Sequence, residues 1–557
     1  MAILGDTSTQ LLSQAIRGYG FEVGFDLDIF EADYNQIDRQ ILDSSSELYR
    51  FKPDFVLLFQ ASQKLIKSYY RKDNSGKVNF AKNQIQKISD WVAALNAGAK
   101  PCKIICTNFA EIDDSVFGNF SNKTNLSFQY QLRKLNCELM DFSQGVKNLF
   151  IADVSALQNL FGVSFSFEPR MYIDADMVFS LDFLPPVAKS ILDIILAVSG
   201  IFKKCLIMDL DNTLWGGIIG DDGIENIQLG DLGQGKAFSE LQAWAKQLKK
   251  RGILLAVCSK NSEQIAREPF EKHPDMVLSL EDIAVFAASW DSKIDNIKYI
   301  KSFLNIGYDS MVFIDDNPFE RNVIRTHLPD VTVPELPDDP SDYLPYLRTL
   351  NLFETSSYTE EDEQRTLQLQ AEGKRATVQK TFTSEDDFLR SLGMTCEIAP
   401  FDNFTIPRVA QLIQRSNQFN LRTIRYSEHD IRRFVEANEH LHYAFSLKDK
   451  FGDYGLISLV ILRPKEDGLF IDTWVMSCRV LNRGVENLIL TTIVNAAKDR
   501  GYEKIMGEYI PTLKNVLVKD HYLNLGFNDI GNGCWALNVI NYQAKKHFIN
   551  QGVNNGY

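Results

Sequence analysis

Short apolar runs alternate with longer amphipathic stretches through the first 190 residues. FEVGFDLDIF (21–30), PDFVLLFQ (53–60), PCKIICTNF (101–109) and NLFIADV (148–154) read as buried strands with helical patterns between them. That alternation predicts a βαβ domain with a parallel sheet over residues 1–198. A second parallel α/β domain, over 199–356, opens at KKCLIMDLDNT (203–213) and continues through GILLAVCSKN (252–261) and SMVFIDDNPFE (310–320). Five prolines interleaved with acids in LPDVTVPELPDDPSDYLP (328–345) predict an extended exit rather than a packed element. SSYTEEDEQRTLQLQAEGKR begins with hydroxyls and acids suited to a helix start, so 357–381 reads as a linker helix. The remainder, 382–557, shows a helix-rich stretch, then strands at HYAFSLKDK, GLISLVILRP and LFIDTWVMSCRV, then a helix over 484–500. It reads as a third, mixed α/β domain.

Composition narrows the class. The chain has 557 residues, 45% of them hydrophobic and 24% charged, which is globular usage. A net charge of −14 argues against nucleic acid or an anionic membrane as a partner. The start, MAILGDTSTQ, lacks a signal-peptide pattern, and ILDIILAVSGIF (191–202) is broken by Asp193 and too short to span a bilayer. Eight scattered cysteines suit reduced thiols, and the expected location is cytoplasmic.

Every strand of the second domain ends in polar residues. Ligands of open α/β sheets bind beyond the carboxyl ends of the strands, so Asp209, Asp211, Ser259, Asp315 and Asp316 are expected to converge on one crevice. Clustered carboxylates repel unless a cation neutralises them, and Mg²⁺ prefers oxygen ligands and substrate phosphate. Ser259 is placed to hydrogen-bond a phosphoryl oxygen, and Lys293 in WDSKIDNIK to offset developing charge. These pieces fit phosphoryl transfer on a small phosphorylated substrate. Only 50 positions separate Asp209 from Ser259 and 56 separate Ser259 from Asp315, which leaves no room for a large lid.

DLDNTLWGG with SKN, Lys293 and FIDDNPFER resembles the haloacid dehalogenase (HAD) superfamily. LWGGIIGDDGIENIQLG, Gln234 with Gly235, HPDMVLSLEDIAVFAASW and NQFNLRTIRY are similar to its FkbH-like branch. The resemblance implies Asp209 as nucleophile, Asp211 as general acid and base, and Ser259 and Lys293 as groups that orient the phosphoryl. It implies Mg²⁺ held by Asp209, the Asp211 carbonyl and one or both of Asp315 and Asp316. It further implies a phosphoglycerate-like substrate and glyceryl transfer to an acyl carrier protein. Members that load a carrier often have a cysteine between the two aspartates, where this chain has Leu210. Cys258 alternates away from Ser259 and reads as packed.

WVMSCRVLNRGVENLILTTIVNAAKDRGYEKIMGEY looks like the GNAT acyltransferase fold, in which a helix start binds the pyrophosphate of CoA. Arg479, Arg483, Gly484 and Val485 are the matching positions, with Glu486 where a small residue is usual. CoA and a phosphopantetheine arm both stay open as ligands. Asn515 and Tyr522 match groups near the thioester, and Asn515 equally suits a cap. Cys478 reads either as an acyl-accepting thiol or as a small buried apolar residue. Asn417, Gln418 and Asn420 offer hydrogen bonds to a polyol or phosphate, or knit a loop; Arg415, Arg422 and Arg425 suit an acidic carrier or a solvated face. The alternative function is a GNAT-type N-acyltransferase with the HAD domain as scaffold. ILGDTSTQ (3–10) places GDT where SGNH-type esterases carry their nucleophile, but no histidine precedes His273, so this domain is expected to be non-catalytic, with Thr7 or Ser8 capping a helix.

Overall fold

Strands with both faces covered must be apolar along their whole length, and the N-terminal runs satisfy that condition. The computed structural model describes residues 1–98, 100–358, 366, 375, 378, 382–416, 418–436, 440–465 and 468–552. The chain divides into two units, Met1–Val198 and Ser199–Tyr557. In the first, β1 (Ala2–Gly5), β2 (Phe30–Glu31), β3 (Phe55–Phe59), β4 (Lys103–Thr107) and β5 (Leu149–Ala152) form a parallel sheet ordered β2-β1-β3-β4-β5. Alternate residues enter opposite cores: Val56 and Leu58 on one side, Leu57 and Phe59 on the other.

Three expectations for this unit are corrected or refined. FEVGFDLDIF is not a strand, since only Phe30 reaches β2. Its start belongs to the helix Gln10–Glu22, whose buried residues Leu12, Ile16 and Gly20 recur every four positions and leave Phe21 83% exposed. Neither Thr7 nor Ser8 caps that helix. Thr9 takes the N-cap position and gives its hydroxyl to Glu31 at 2.7 Å, while the Thr7 hydroxyl is buried without a partner. The apolar stretch around Asp193 is the core helix Leu184–Val198, and among the described residues no helix is long and apolar enough to cross a membrane.

The second unit holds two sheets. In the first, β6 (Cys205–Met208), β7 (Leu254–Ser259), β8 (Ile283–Ala288) and β9 (Met311–Ile314) run parallel in the order β8-β7-β6-β9. The proline-rich exit is extended but packed: Thr332 pairs with Val312, Leu336 is buried, and the helix Tyr343–Thr349 buries Tyr343, Leu344 and Leu347. It is therefore part of this body, because its apolar residues cover the sheet. The linker helix expected over 357–381 lies almost wholly outside the described residues.

The other sheet has both parallel and antiparallel pairs. It comprises β10 (Thr395–Ala399), β11 (Leu441–Asp449), β12 (Gly452–Lys465), β13 (Gly468–Met476), β14 (Lys504–Glu508), β15 (Asn528–Gly531), β16 (Cys534–Asn538) and β17 (Asn550–Gln551), ordered β15-β16-β14-β13-β12-β11-β10-β17. The β13–β14 and β10–β17 pairs are parallel and the others antiparallel. The helix Val485–Asp499 makes the β13–β14 crossover. This body is seamed to the amino ends of β6 and β9: Lys204 Nζ donates to the Arg415 carbonyl at 3.0 Å, and Lys514 pairs with Asp309 at 2.5 Å.

Gly235, at the start of the helix Gly233–Lys250, is needed for close approach. A Cβ there would stand 2.7 Å from the Leu229 carbonyl carbon and oxygen. Gly235→Ala is expected to cost about 1–3 kcal/mol, since backbone cannot yield as a side-chain tip can. A lowered thermal midpoint with unchanged far-UV circular dichroism at 25 °C would show it; an unchanged midpoint would refute it.

Candidate active site

Parallel pairing of β6 with β9 sets Met208 beside Ile314, so the next residue on each strand, Asp209 and Asp315, leaves the sheet at the same edge. The Asp209 N–H donates to the Ile314 carbonyl at 3.0 Å and fixes that juxtaposition. Lys293 starts the helix Lys293–Leu304, whose first turn is capped by the Ser292 hydroxyl accepting the Asp295 N–H. Its ammonium, 4% exposed, lies 2.5 Å from Asp315 Oδ2 and 3.0 Å from Asp209 Oδ1.

Asp209, Asp315 and Asp316 each bring a carboxylate oxygen within 4.8 Å of the others. One ammonium faces these acids, so the cluster carries excess negative charge. The same ammonium serves both Asp209 and Asp315, so neither carboxylate has a cation to itself. Three carboxylates that share one ammonium make an all-oxygen, net-negative cluster, a fitting site for a hard divalent cation such as Mg²⁺.

Burial pushes the Asp209 carboxyl above its ordinary range, against the pull of Lys293. Burial and the neighbouring Asp209 charge push Asp315 up to about 6. Asp316 is raised by burial and by Asp315. For Lys293, burial works downward but the Asp209 and Asp315 charges outweigh it, so its pKa is raised. The ammonium is therefore held charged in a nearly dry setting.

Asp211 stands apart from the three-acid cluster. Trp215 Nε1 and the Ile219 N–H donate to its Oδ1 at 2.9 and 3.0 Å, and Asn261 Nδ2 donates to Oδ2 at 3.0 Å. Asn212, in the left-handed region at φ 54°, makes the tight turn between β6 and Trp215 and accepts the Gly217 N–H at 2.9 Å. Burial raises the Asp211 carboxyl too. Ser259 ends β7 and is buried; its carbonyl accepts the Ser289 N–H from the end of β8. Cys258 is fully buried, and burial drives its thiol pKa upward, so it is packed rather than reactive.

Three supporting groups escaped sequence reasoning. Arg321 donates to the carbonyls of Asp315 and Asp316 at 2.8 and 2.6 Å and pairs with Glu335. Lys260 and Glu320 pair at 2.6 Å, tying the loop after β7 to the helix after β9. Asn261 orients Asp211. The sequence signal for each is only its place one to six residues beyond a strand-end acid or serine. The segments linking Asp209, Ser259 and Asp315 contain connecting helices, β8 and the loop 215–232, with no inserted lid domain.

The C-terminal candidates are arranged differently. Asn515 is buried and ties loops together: its Nδ2 donates to the carbonyls of Asn420 and Ile510 at 3.0 and 2.9 Å, and its Oδ1 accepts the Thr512 N–H at 2.7 Å. Asn420 Oδ1 accepts the Thr423 N–H at 2.8 Å. Asn417 and the Cys478 side chain lie outside the described residues. Arg422 points inward to Asp472 and Glu508, both at 2.8 Å, and Arg425 to the carbonyls of Ile413 and Ser416. Neither presents a face to an acidic partner, because each completes a buried polar network. Arg479 Nε donates to Ser477 Oγ at 3.1 Å, Arg483 is buried, and Gly484 and Val485 open the crossover helix.

Residues 1–196 match the family model described as FkbH, N-terminal domain. No curated protein matches the chain. Among solved structures, an Escherichia coli ribosomal-protein-S18-alanine N-acetyltransferase shares 15% identity, with 29% of this chain and 99% of that one covered and a TM-score of 0.21. A GNAT-family acetyltransferase from Staphylococcus aureus shares 12%, covering 26% and 99%, with a TM-score of 0.22. Likenesses of that size carry no weight. The N-terminal part of BF1531 from Bacteroides fragilis, which contains a phosphatase domain and was crystallised with Mg, is 50% identical, with 64% of this chain and 94% of that one covered and a TM-score of 0.62. Half-identity across nearly the whole of that protein shows that the chain belongs to the family of the Bacteroides fragilis phosphatase-domain protein.

Proposed function

We propose that the chain is a Mg²⁺-dependent phosphatase or phosphotransferase whose nucleophile is Asp209. The observation that carries this reading is the cluster of Asp209, Asp315 and Asp316, the first two buried on the Lys293 ammonium and the third half-buried beside them. The half-identical relative was crystallised with Mg, which supports the same cation here. Asp209, Asp315, Asp316 and the Asp211 carbonyl would hold it, and when bound it would draw off negative charge from the phosphoryl oxygens.

The residues then divide the work. An Asp209 carboxylate oxygen attacks phosphorus as the bond to the leaving oxygen breaks, giving an aspartyl-phosphate. Asp211 gives its proton to that leaving oxygen. In the second half, Asp211 takes a proton from water as the water oxygen attacks phosphorus, which frees inorganic phosphate and restores Asp209. Trp215, Ile219 and Asn261 hold the Asp211 carboxyl in one orientation through both halves. Lys293 and Ser259 orient the phosphoryl group, with Lys293 matching charge that grows on its oxygens.

The finer reading follows the FkbH-like resemblance: a phosphoglycerate-like substrate, with the glyceryl unit passed to an acyl carrier protein. Leu210 between the two aspartates places any carrier thioester elsewhere than at that position. The N-terminal unit acts as a non-catalytic companion, since it has no histidine and the Thr7 hydroxyl is buried.

Mg²⁺-dependent phosphate release from 1,3-bisphosphoglycerate, phosphoglycerates and a generic aryl phosphate tests the proposal. Asp209→Asn should bring release to the uncatalysed background, and retained turnover would exclude the aspartyl-phosphate route. Asp211→Asn should lower kcat by about 10²–10⁴-fold, the usual loss for a general acid. In kcat/KM, which reports only the first half, the loss should shrink for substrates whose leaving group is already acidic; equal loss there across leaving groups would remove Asp211 as proton donor to the leaving oxygen. Removal of divalent cations with EDTA should abolish release and added Mg²⁺ should restore it. Asp316→Asn should raise the Mg²⁺ concentration needed for half-maximal rate, and an unchanged requirement would remove Asp316 from the metal site.

A further inference from the structure

A helix of 15 residues begins at Gly484, which adopts φ 79° to turn the chain into it. Its first N–H groups and positive dipole end could hold a pyrophosphate, which is what the GNAT resemblance places there. In this chain the position already has occupants. Glu486, in the first turn, folds its carboxylate back so that Oε1 accepts the Asn482 N–H at 3.4 Å, and its own N–H as well. A carboxylate at this place satisfies the positive helix end, and an anionic ligand brought there would have to displace it.

The C-terminal segment covers the same turn. Asn487 Nδ2 donates to the Lys546 carbonyl at 2.9 Å, and the Thr491 and Tyr542 hydroxyls are 3.1 Å apart. His547 lies so close that a Cβ on Gly484 would stand 3.2 Å from the His547 Cβ. The segment is tied down on its far side as well: Lys546 pairs with Asp386 at 2.5 Å, and β17 pairs with β10.

The cation next to the turn points elsewhere. Arg483, 8% exposed, donates to the Tyr454 hydroxyl and lies 3.8 Å from Asp449. Asp449 also receives Arg375 through two bonds of 2.7 Å. Drawing Arg483 out to a phosphate would break its bond to the Tyr454 hydroxyl and remove the second cation from beside Asp449.

We infer that the chain closes this helix start against itself, with the Glu486 carboxylate and the Lys546–His547 backbone, and that the C-terminal body takes no acetyl-CoA there. The N-acyltransferase alternative thereby loses its donor site, and an arm carrying phosphopantetheine meets the same carboxylate.

Hydrogen exchange of the full chain, read by mass spectrometry with and without acetyl-CoA, is the test. At about 1 mM acetyl-CoA, enough to half-load a site of millimolar Kd, peptides spanning 483–491 and 541–549 should exchange at the same rate as without ligand. Slowed exchange in 483–491 would overturn the inference, as would faster exchange in 541–549 coupled to it, which would show the segment lifting to admit the cofactor. Changes confined to other peptides leave both segments unaltered and support closure.

Discussion

A single ammonium, Lys293, compensates acids that the fold forces together away from water, and the organisation of the HAD-like sheet follows from that demand. Burying a carboxylate is tolerable only beside a cation or with donors to spare. The parallel register of β6 on β9 makes Asp209 and Asp315 neighbours, and the helix start after β8 delivers Lys293 between them. A slip of one residue in either strand would turn one acid to the opposite face of the sheet and separate the pair. The wholly apolar β6 and β9, with each side chain buried in one of two cores, prevent such a slip. Core packing and site geometry are therefore one constraint.

The C-terminal body solves the same electrostatic problem with different means. Its buried acids Asp449 and Asp472 are each compensated by arginines, with tyrosine hydroxyls adding donors at 3.2 and 2.8 Å. Each of these two acids has arginines of its own, whereas Asp209 and Asp315 share one ammonium. That contrast separates a network that holds loops in place from a cluster that still demands a cation.

Much of this was legible in the residues themselves. A strand that is apolar throughout and ends in acid announces both its burial and its ligand end, so β6, β7 and β9 and their terminal side chains were readable in order. β8 was not, because IAVFAA is alanine-rich and ends in no acid, and its packing comes from β7 alongside it. The stretch from Phe21 misled because alternation in FEVGFDLDIF imitates a strand while the helix before it sets the actual period. Arginines 422 and 425 looked like a docking face because charge patterns along a sequence do not disclose which residues face inward. Arg321 and Asn261 act through carbonyls and carboxylates brought close only by the sheet, and no spacing rule marks them.

The seam between the two bodies of the second unit has an evolutionary reading. Lys204 and Lys514 anchor the C-terminal body at the amino ends of β6 and β9, a full strand length from Asp209 and Asp315. Neither of these two contacts involves the loops that frame the acids. The 215–232 loop could lengthen into a cap, or the side chains around the mouth could be exchanged, with the seam undisturbed. Selectivity for a phosphorylated substrate and attachment to a companion domain are thus free to diverge independently within this family.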